Sequence, residues 1–241
     1  MSRWFEGPLA AFDTETTGLD VERDRIVSAA LVVQAAPGVA PRTRTWLVDP
    51  GVPVPREATA IHGFTGAHLR DHGRPPALMV ARMAHALAEQ VGHGVPLVVM
   101  NAPFDLTLLD RELRRHQRAP LADYLSTRPL CVLDPRVLDR HVDHSREGRR
   151  ALTDLCAHYA VELRRAHDAA ADALAALEVV RAVGRRFTAR LGSLTLPQLH
   201  ARQALWHAAR ARGCGAWFSA GGSRATGDPA WPLRWRRPGT A

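Results

Sequence analysis

Two carboxylates stand two residues apart at the end of an apolar run. Asp13 and Glu15 follow Leu9–Phe12 within the segment Ala11-Phe12-Asp13-Thr14-Glu15-Thr16-Thr17-Gly18. On a β-strand, residues i and i+2 leave from the same face, so these side chains would project side by side. Like charges held about 6 Å apart repel by roughly 3 kcal/mol at an effective dielectric of about 20. A fold does not need such a pair for its own stability; a divalent cation between the two groups makes it favourable. The segment reads as half of a metal site.

Three more positions extend it. Asn101-Ala102-Pro103-Phe104-Asp105 follows a short apolar run and enters a helix, with Pro103 at a favoured first helical position. Asp105 falls in the first turn, where the helix dipole tolerates a carboxylate. Alone, that position is ordinary electrostatics. His167-Asp168-Ala169-Ala170-Ala171-Asp172 begins a long helix whose alanines leave room for close packing against a sheet. Asp172 is expected to face that sheet, and His167 to lie a little over a turn earlier, nearer the helix mouth. A lone His at a helix start is open to a structural or a catalytic reading. Asp168 reads as a helix-start residue rather than a ligand.

The elements that must position these groups follow from periodicity. Leu9–Glu15, Arg25–Gln34 and Arg42–Val48 read as strands joined by short turn-rich links, which suits an antiparallel meander. Pro50 to Pro55 reads as a loop. Pro76–Val91, Pro103–Arg118, Pro135–His141, Leu152–Tyr159 and His167–Arg190 read as helices, with short buried strands at Pro96–Met100 and Leu130–Leu133. Strands followed by helix–strand alternation predict an α/β fold with a mixed five-stranded sheet flanked by helices. Residues 1–190 form the expected main domain. Residues 191–241 form a C-terminal extension: one helix at Leu196–Arg212, then an irregular tail from Gly213.

The chain has 241 residues, is 46% hydrophobic and carries a net charge of +8, and all 32 of its basic residues are arginine. Abundant arginine and alanine without lysine fits biased codon usage. The placement of the charge is more useful. Residues 1–186 hold 24 arginines against 23 acids, and residues 187–241 hold 8 against one, Asp228. A basic segment of that kind concentrates polyanions, or serves as a solvated tail. Three distant cysteines form no zinc spacing and fit a reducing cytosol. No apolar run is long enough to span a bilayer. A cytoplasmic protein without membrane contact is expected.

Taken together, the residues resemble the DEDD 3′→5′ exonucleases, in the variant whose last motif carries histidine, typified by the proofreading epsilon subunit of bacterial DNA polymerase III. The matching motifs are Asp13 to Gly18, Asn101 to Asp105, and His167 with Asp172. A fourth segment, Asp49-Pro50-Gly51 through Ile61-His62-Gly63-Phe64-Thr65, also looks like the family. The resemblance covers roughly residues 7–187.

The resemblance implies a ribonuclease H-like fold and a two-metal hydrolysis releasing nucleoside 5′-monophosphates from a 3′ end. It implies that Asp13, Glu15 and Asp172 bind a first Mg²⁺ or Mn²⁺. Asp13 would bridge to a second ion, with Asp105 helping through water. His167, with a reference pKa of about 6.5, would take the proton from the attacking water. Thr16, Thr17 and Gly18 would lie against the terminal nucleotide. His62, Gly63 and Phe64 would border the last base, Phe64 by stacking, unless its ring belongs to the core. Asn101, at the substrate side, is expected to orient its loop by hydrogen bonds.

DNA is favoured over RNA as substrate. A module that binds nucleic acid without catalysis is the reading from another class. Ser28 stands where family members often carry Glu, at a position that is not a metal ligand. In the extension, Gln203-Ala204-Leu205-Trp206 resembles a sliding-clamp peptide, which suggests a clamp or polymerase partner; an amphipathic helix explains it equally. Trp217, Phe218, Trp231 and Trp235, among Arg224, Arg234, Arg236 and Arg237, would stack on single strands, pack back onto the domain or meet a protein partner.

Overall fold

The computed structural model describes residues 3–125, 128–220 and 228–234, for 213–220 the backbone alone. Three strands open the chain: β1 (Leu9–Thr16), β2 (Ile26–Gln34) and β3 (Arg42–Leu47). They pair antiparallel in the expected meander. Two seven-residue helices follow, α1 (Arg56–His62) and α2 (Gly66–His72), then α3 (Pro76–Gly92). β4 (Leu97–Val98) leads into α4 (Ala102–Gln117) and the short α5 (Leu121–Tyr124). β5 (Val132–Leu133) leads into α6 (Pro135–Val142), α7 (Leu152–Tyr159), α8 (Ala169–Arg186) and α9 (Thr188–Leu191). The last helix, α10, runs from Leu196 to Ala220.

The sheet order is β3-β2-β1-β4-β5, with β4 and β5 parallel to β1. This is the mixed five-stranded sheet flanked by helices expected of a ribonuclease H-like fold. Strand alternation sorts the two layers. Ala10 and Phe12 of β1 join Leu97 and Val99 in a core built with α3 and α4. Leu9 and Ala11 point the other way, into a core with α7 and α8. By the same parity Asp13 and Glu15 share the α8 face, and Thr14 the α4 face. Small side chains bring α8 close: Ala169, Ala173, Ala175 and Ala176 are all buried. Arg181 then fastens the far half of that helix, donating to Gln34 Oε1 at 2.8 Å and to the Gly7 carbonyl at 3.0 Å.

The edge at β5 is closed by side chains of α10. Gln203, with no solvent exposure, accepts from the Asp134 backbone N–H at 2.8 Å and donates to the Val132 carbonyl at 2.9 Å. The Val132 N–H donates to His200 Nδ1 at 3.0 Å. An edge strand left bare would present these groups for pairing with another chain. The clamp-peptide resemblance therefore has no exposed glutamine to carry it, and Trp206 is stacked 3.6 Å from the His141 ring. The extension also differs from its expected course. The helical backbone continues past Gly213, and Trp231 returns to the core beside His200. Arg234 N–H donates to Thr107 Oγ1 at 2.9 Å. The side chains of Trp217, Phe218, Arg224, Trp235, Arg236 and Arg237 lie outside the described residues.

Candidate metal centre and substrate groove

Four carboxylates converge at the C-terminal end of β1. Asp13 and Glu15 come from the strand itself, Asp172 from the first turn of α8, and Asp105 from the first turn of α4. Asp105 meets the other face of β1. Its Oδ1 accepts from the Thr14 backbone N–H at 3.1 Å and from Thr14 Oγ1 at 2.6 Å. Ligand atoms of Glu15, His167 and Asp172 lie within 4.8 Å of one another. Asp172 Oδ2 accepts from the His167 backbone N–H at 3.1 Å, whereas its Oδ1 is buried without a hydrogen-bond partner among the described residues.

Crowding shows in the acidities. Burial pushes the Asp13 carboxyl well above its ordinary range, and the charges of Asp105, Asp172 and Glu15 push it further. Glu15 is raised to about 8, first by burial and then by Asp172 and Asp105. Asp105 is raised to about 7 by burial, against the hydrogen bonds from Thr14 that hold it down. Asp172 is raised by burial, offset in part by the His167 N–H. Hard oxygen donors, mutual repulsion and an orphaned buried carboxylate oxygen together fit a divalent cation.

His167 does not begin the helix, as its spacing suggested. It sits one residue ahead of the cap with φ 64°, in the left-handed region. The cap is Asp168, whose carboxylate accepts from the Ala170 and Ala171 N–H groups at 3.0 and 3.2 Å. The kink keeps the exposed imidazole at the helix mouth beside Asp172.

The turn after β1 is internally tied. Thr16 Oγ1 donates to the Gly18 carbonyl at 2.7 Å, and buried Thr17 Oγ1 donates to Asp24 Oδ1 at 2.8 Å. A Cβ on Gly18 would stand 2.5 Å from the Asp24 carboxylate, so a side chain there would push Asp24 off its bonds to Thr17 and the Asp20 N–H. Asp24 escapes sequence reading, because nothing marks it apart from other loop acids.

On the β2–β3 side a groove of about 640 Å³ runs between Trp46, the His62–Phe64 segment and the His167–Ala170 segment. Phe64 is half-buried against the rings of His62 and His68, with centroids 5.5 and 6.0 Å away, so it is not a core side chain. Gly63 takes φ 81° at the end of α1, a conformation that favours glycine. His62 Nδ1 accepts from the Phe64 N–H at 3.0 Å, and its Nε2 is buried without a partner among the described residues. Burial lowers the His62 pKa, the Thr16 backbone opposes the shift, and neighbouring His167 adds to it.

Asn101 takes φ 59° and caps α4. Its Oδ1 accepts from Arg136 at 3.1 Å. Asp134, which the sequence reading passed over, holds this corner. Its carboxylate accepts from the backbone N–H groups of Asn101, Ala102 and Arg136 at 3.3, 3.1 and 2.9 Å. The available signal was Asp134-Pro135, an acceptor followed by proline at a helix start.

Comparison with known proteins bears on the family and the fold. The family model described as exonuclease matches residues 10–180. A DNA polymerase III subunit epsilon-like protein of Rhodobacter capsulatus is 43% identical over 103 residues, covering 42% of this chain and 14% of that protein. The DNA polymerase III subunit epsilon of Rickettsia prowazekii is 29% identical over 184 residues, covering 74% of this chain and 76% of the relative. Among solved structures, E. coli exonuclease I in complex with a dT13 oligonucleotide has a TM-score of 0.63 at 20% identity. It covers 76% of this chain, which spans 42% of the exonuclease I chain.

Proposed function

We propose a function from one premise: the chain belongs to the exonuclease family. It hydrolyses DNA stepwise from a free 3′ end, releasing nucleoside 5′-monophosphates. The observation that carries this reading is the meeting of Asp13, Glu15, Asp105 and Asp172 at one strand end, with an Asp172 Oδ1 that is buried and has no partner among the described residues. The relationship to epsilon subunits and the likeness to an exonuclease I solved with an oligonucleotide support DNA as the substrate.

Asp13, Glu15 and Asp172 would hold one Mg²⁺ or Mn²⁺, and Asp13 with Asp105 a second. Such ions, when bound, stabilise charge on the attacking and leaving oxygens. His167 accepts the proton of the attacking water as its oxygen bonds to phosphorus and the bond to the 3′ oxygen breaks. The shortened strand keeps a 3′ hydroxyl. Thr14 keeps Asp105 oriented through two hydrogen bonds. The backbone of Thr16–Gly18 and the ring of Phe64 border the terminal nucleotide, the ring stacking without reading base identity. Catalysis belongs to residues 1–190, and α10 of the extension braces the β5 edge through His200 and Gln203.

The test is a time course on 5′-labelled DNA and RNA oligomers of matched sequence, with and without Mn²⁺. A ladder of DNA shortening from the 3′ end only with metal is expected. Faster loss of RNA would reassign the substrate. Binding without any nucleotide release would leave a non-catalytic module.

A further inference from the structure

A second charged pocket lies on the other side of the metal centre. It encloses about 220 Å³ between α4, α6, α10 and the 228–234 segment. Arg136, Arg140, Arg210 and Arg234 line it, with His207 beside them. The Nε atoms of Arg136, Arg140 and Arg234 are buried without hydrogen-bond partners among the described residues. Burial lowers the Arg140 pKa to about 10, and the charges of Arg136 and Arg210 contribute.

The two acids at the pocket do not answer this charge. The Asp134 carboxylate is engaged by backbone N–H groups at the starts of α4 and α6, and Asp228 Oδ1 accepts from the Ala230 N–H at 2.9 Å. None of the four guanidinium groups has a carboxylate partner among the described residues; Arg136 donates instead to the Asn101 amide oxygen. Guanidinium groups gathered without counter-charge suit a tetrahedral oxyanion, which accepts several N–H bonds at once.

Position narrows the anion. Asn101 and Pro103 line the pocket, and Asp105 of the metal centre is two residues further along α4. The pocket thus opens on the β4–β5 side of β1, and the Phe64 groove on the β2–β3 side. A strand with its last nucleotide in that groove and its scissile phosphate at the carboxylates would continue towards the arginines. We propose that this pocket holds a backbone phosphate of the substrate strand upstream of the scissile one. Two of the four arginines, Arg210 and Arg234, come from the C-terminal extension, which gives its basic charge a place in substrate binding. The inference rests on the exonuclease reading.

The experiment compares kcat/KM on a single-stranded DNA 12-mer with that on a dinucleotide, whose only phosphate is the scissile one. Arg210→Gln and Arg140→Gln are tested singly and together, with far-UV circular dichroism and melting curves to verify folding. Arg210→Glu, at an exposed side chain, serves as the independent variant if Arg140→Gln folds poorly. The 12-mer-to-dinucleotide ratio is expected to fall about tenfold in the double variant. The slope of log binding constant against log salt should shrink by about 0.7 for one lost phosphate contact. An unchanged ratio and slope in folded variants overturn the pocket proposal. So does an acidic peptide whose binding depends on Arg140 while oligonucleotide binding does not; that result assigns the pocket to a protein partner. Wild-type protein that cleaves neither substrate refutes the exonuclease reading instead.

Discussion

Replacing Glu15 with Gln should stabilise the metal-free protein at pH 8 while removing its response to metal. Glu15 has its carboxyl raised from 4.5 to about 8 by burial and by Asp172 and Asp105. Each tenfold change in proton affinity corresponds to about 1.4 kcal/mol, so carrying the charge at pH 8 costs on the order of 3–5 kcal/mol before relaxation. Solvent and side-chain relaxation reduce this to about 1–3 kcal/mol. The sign follows from proton uptake. The folded state binds the Glu15 proton more tightly than the unfolded chain, so this group's contribution to stability is fully present below about pH 4.5 and is lost as pH rises through about 8. Asp105, raised to about 7, acts in the same direction. Gln carries no charge, so metal-free E15Q should melt about 3–8 °C above wild type at pH 8, and at nearly the same temperature at pH 4.5. Adding Mn²⁺ should raise the wild-type midpoint, more at pH 8 than at pH 5.5, and leave E15Q almost unmoved. Calorimetry across that range is the assay. A variant that melts lower than wild type at every pH, or keeps the full Mn²⁺ shift, would refute the reasoning.

The remaining expectations concern single side chains. Asp13→Asn should abolish turnover on a 5′-labelled oligomer, since both ions depend on that carboxylate; unchanged release would remove the metal mechanism. His167→Ala should lower kcat by about 10²–10⁴, the usual contribution of a general base. A loss below about threefold in steady-state assays would make the residue structural. Gln203→Ala should cost about 2–4 kcal/mol in urea denaturation, because it strands the Asp134 N–H and the Val132 carbonyl at a buried edge. A cost under about 0.5 kcal/mol would mean that α10 does not hold β5.

The core of the candidate site was legible because its signals are local. The i, i+2 spacing of Asp13 and Glu15 needs only a strand, and the alanines before Asp172 announce a helix packed on a sheet. The parts that were not legible depend on distant partners. Helices α1 and α2 are one to two turns each, too short to show a period, yet they carry His62 and lead into Phe64. Gln203 looks like a surface amide in an amphipathic helix. Its role exists only through Val132 and Asp134, some 70 positions earlier in the chain. Likewise, the arginines of the second pocket are scattered over three segments of an arginine-rich chain. Nothing in their spacing distinguishes them from arginines on a solvated face. His167 shows the limit of pattern reading: its place before Asp168 is visible, but its left-handed backbone is set by the cap and by the bond to Asp172.

The most direct measurement is anomalous diffraction at the manganese edge from crystals soaked in Mn²⁺ with a short single-stranded oligonucleotide. Two peaks about 3.5–4 Å apart are expected at the end of β1, one against Asp13, Glu15 and Asp172 and the other between Asp13 and Asp105. Manganese bound elsewhere, or no ordered peak among these four carboxylates, would contradict the two-metal centre.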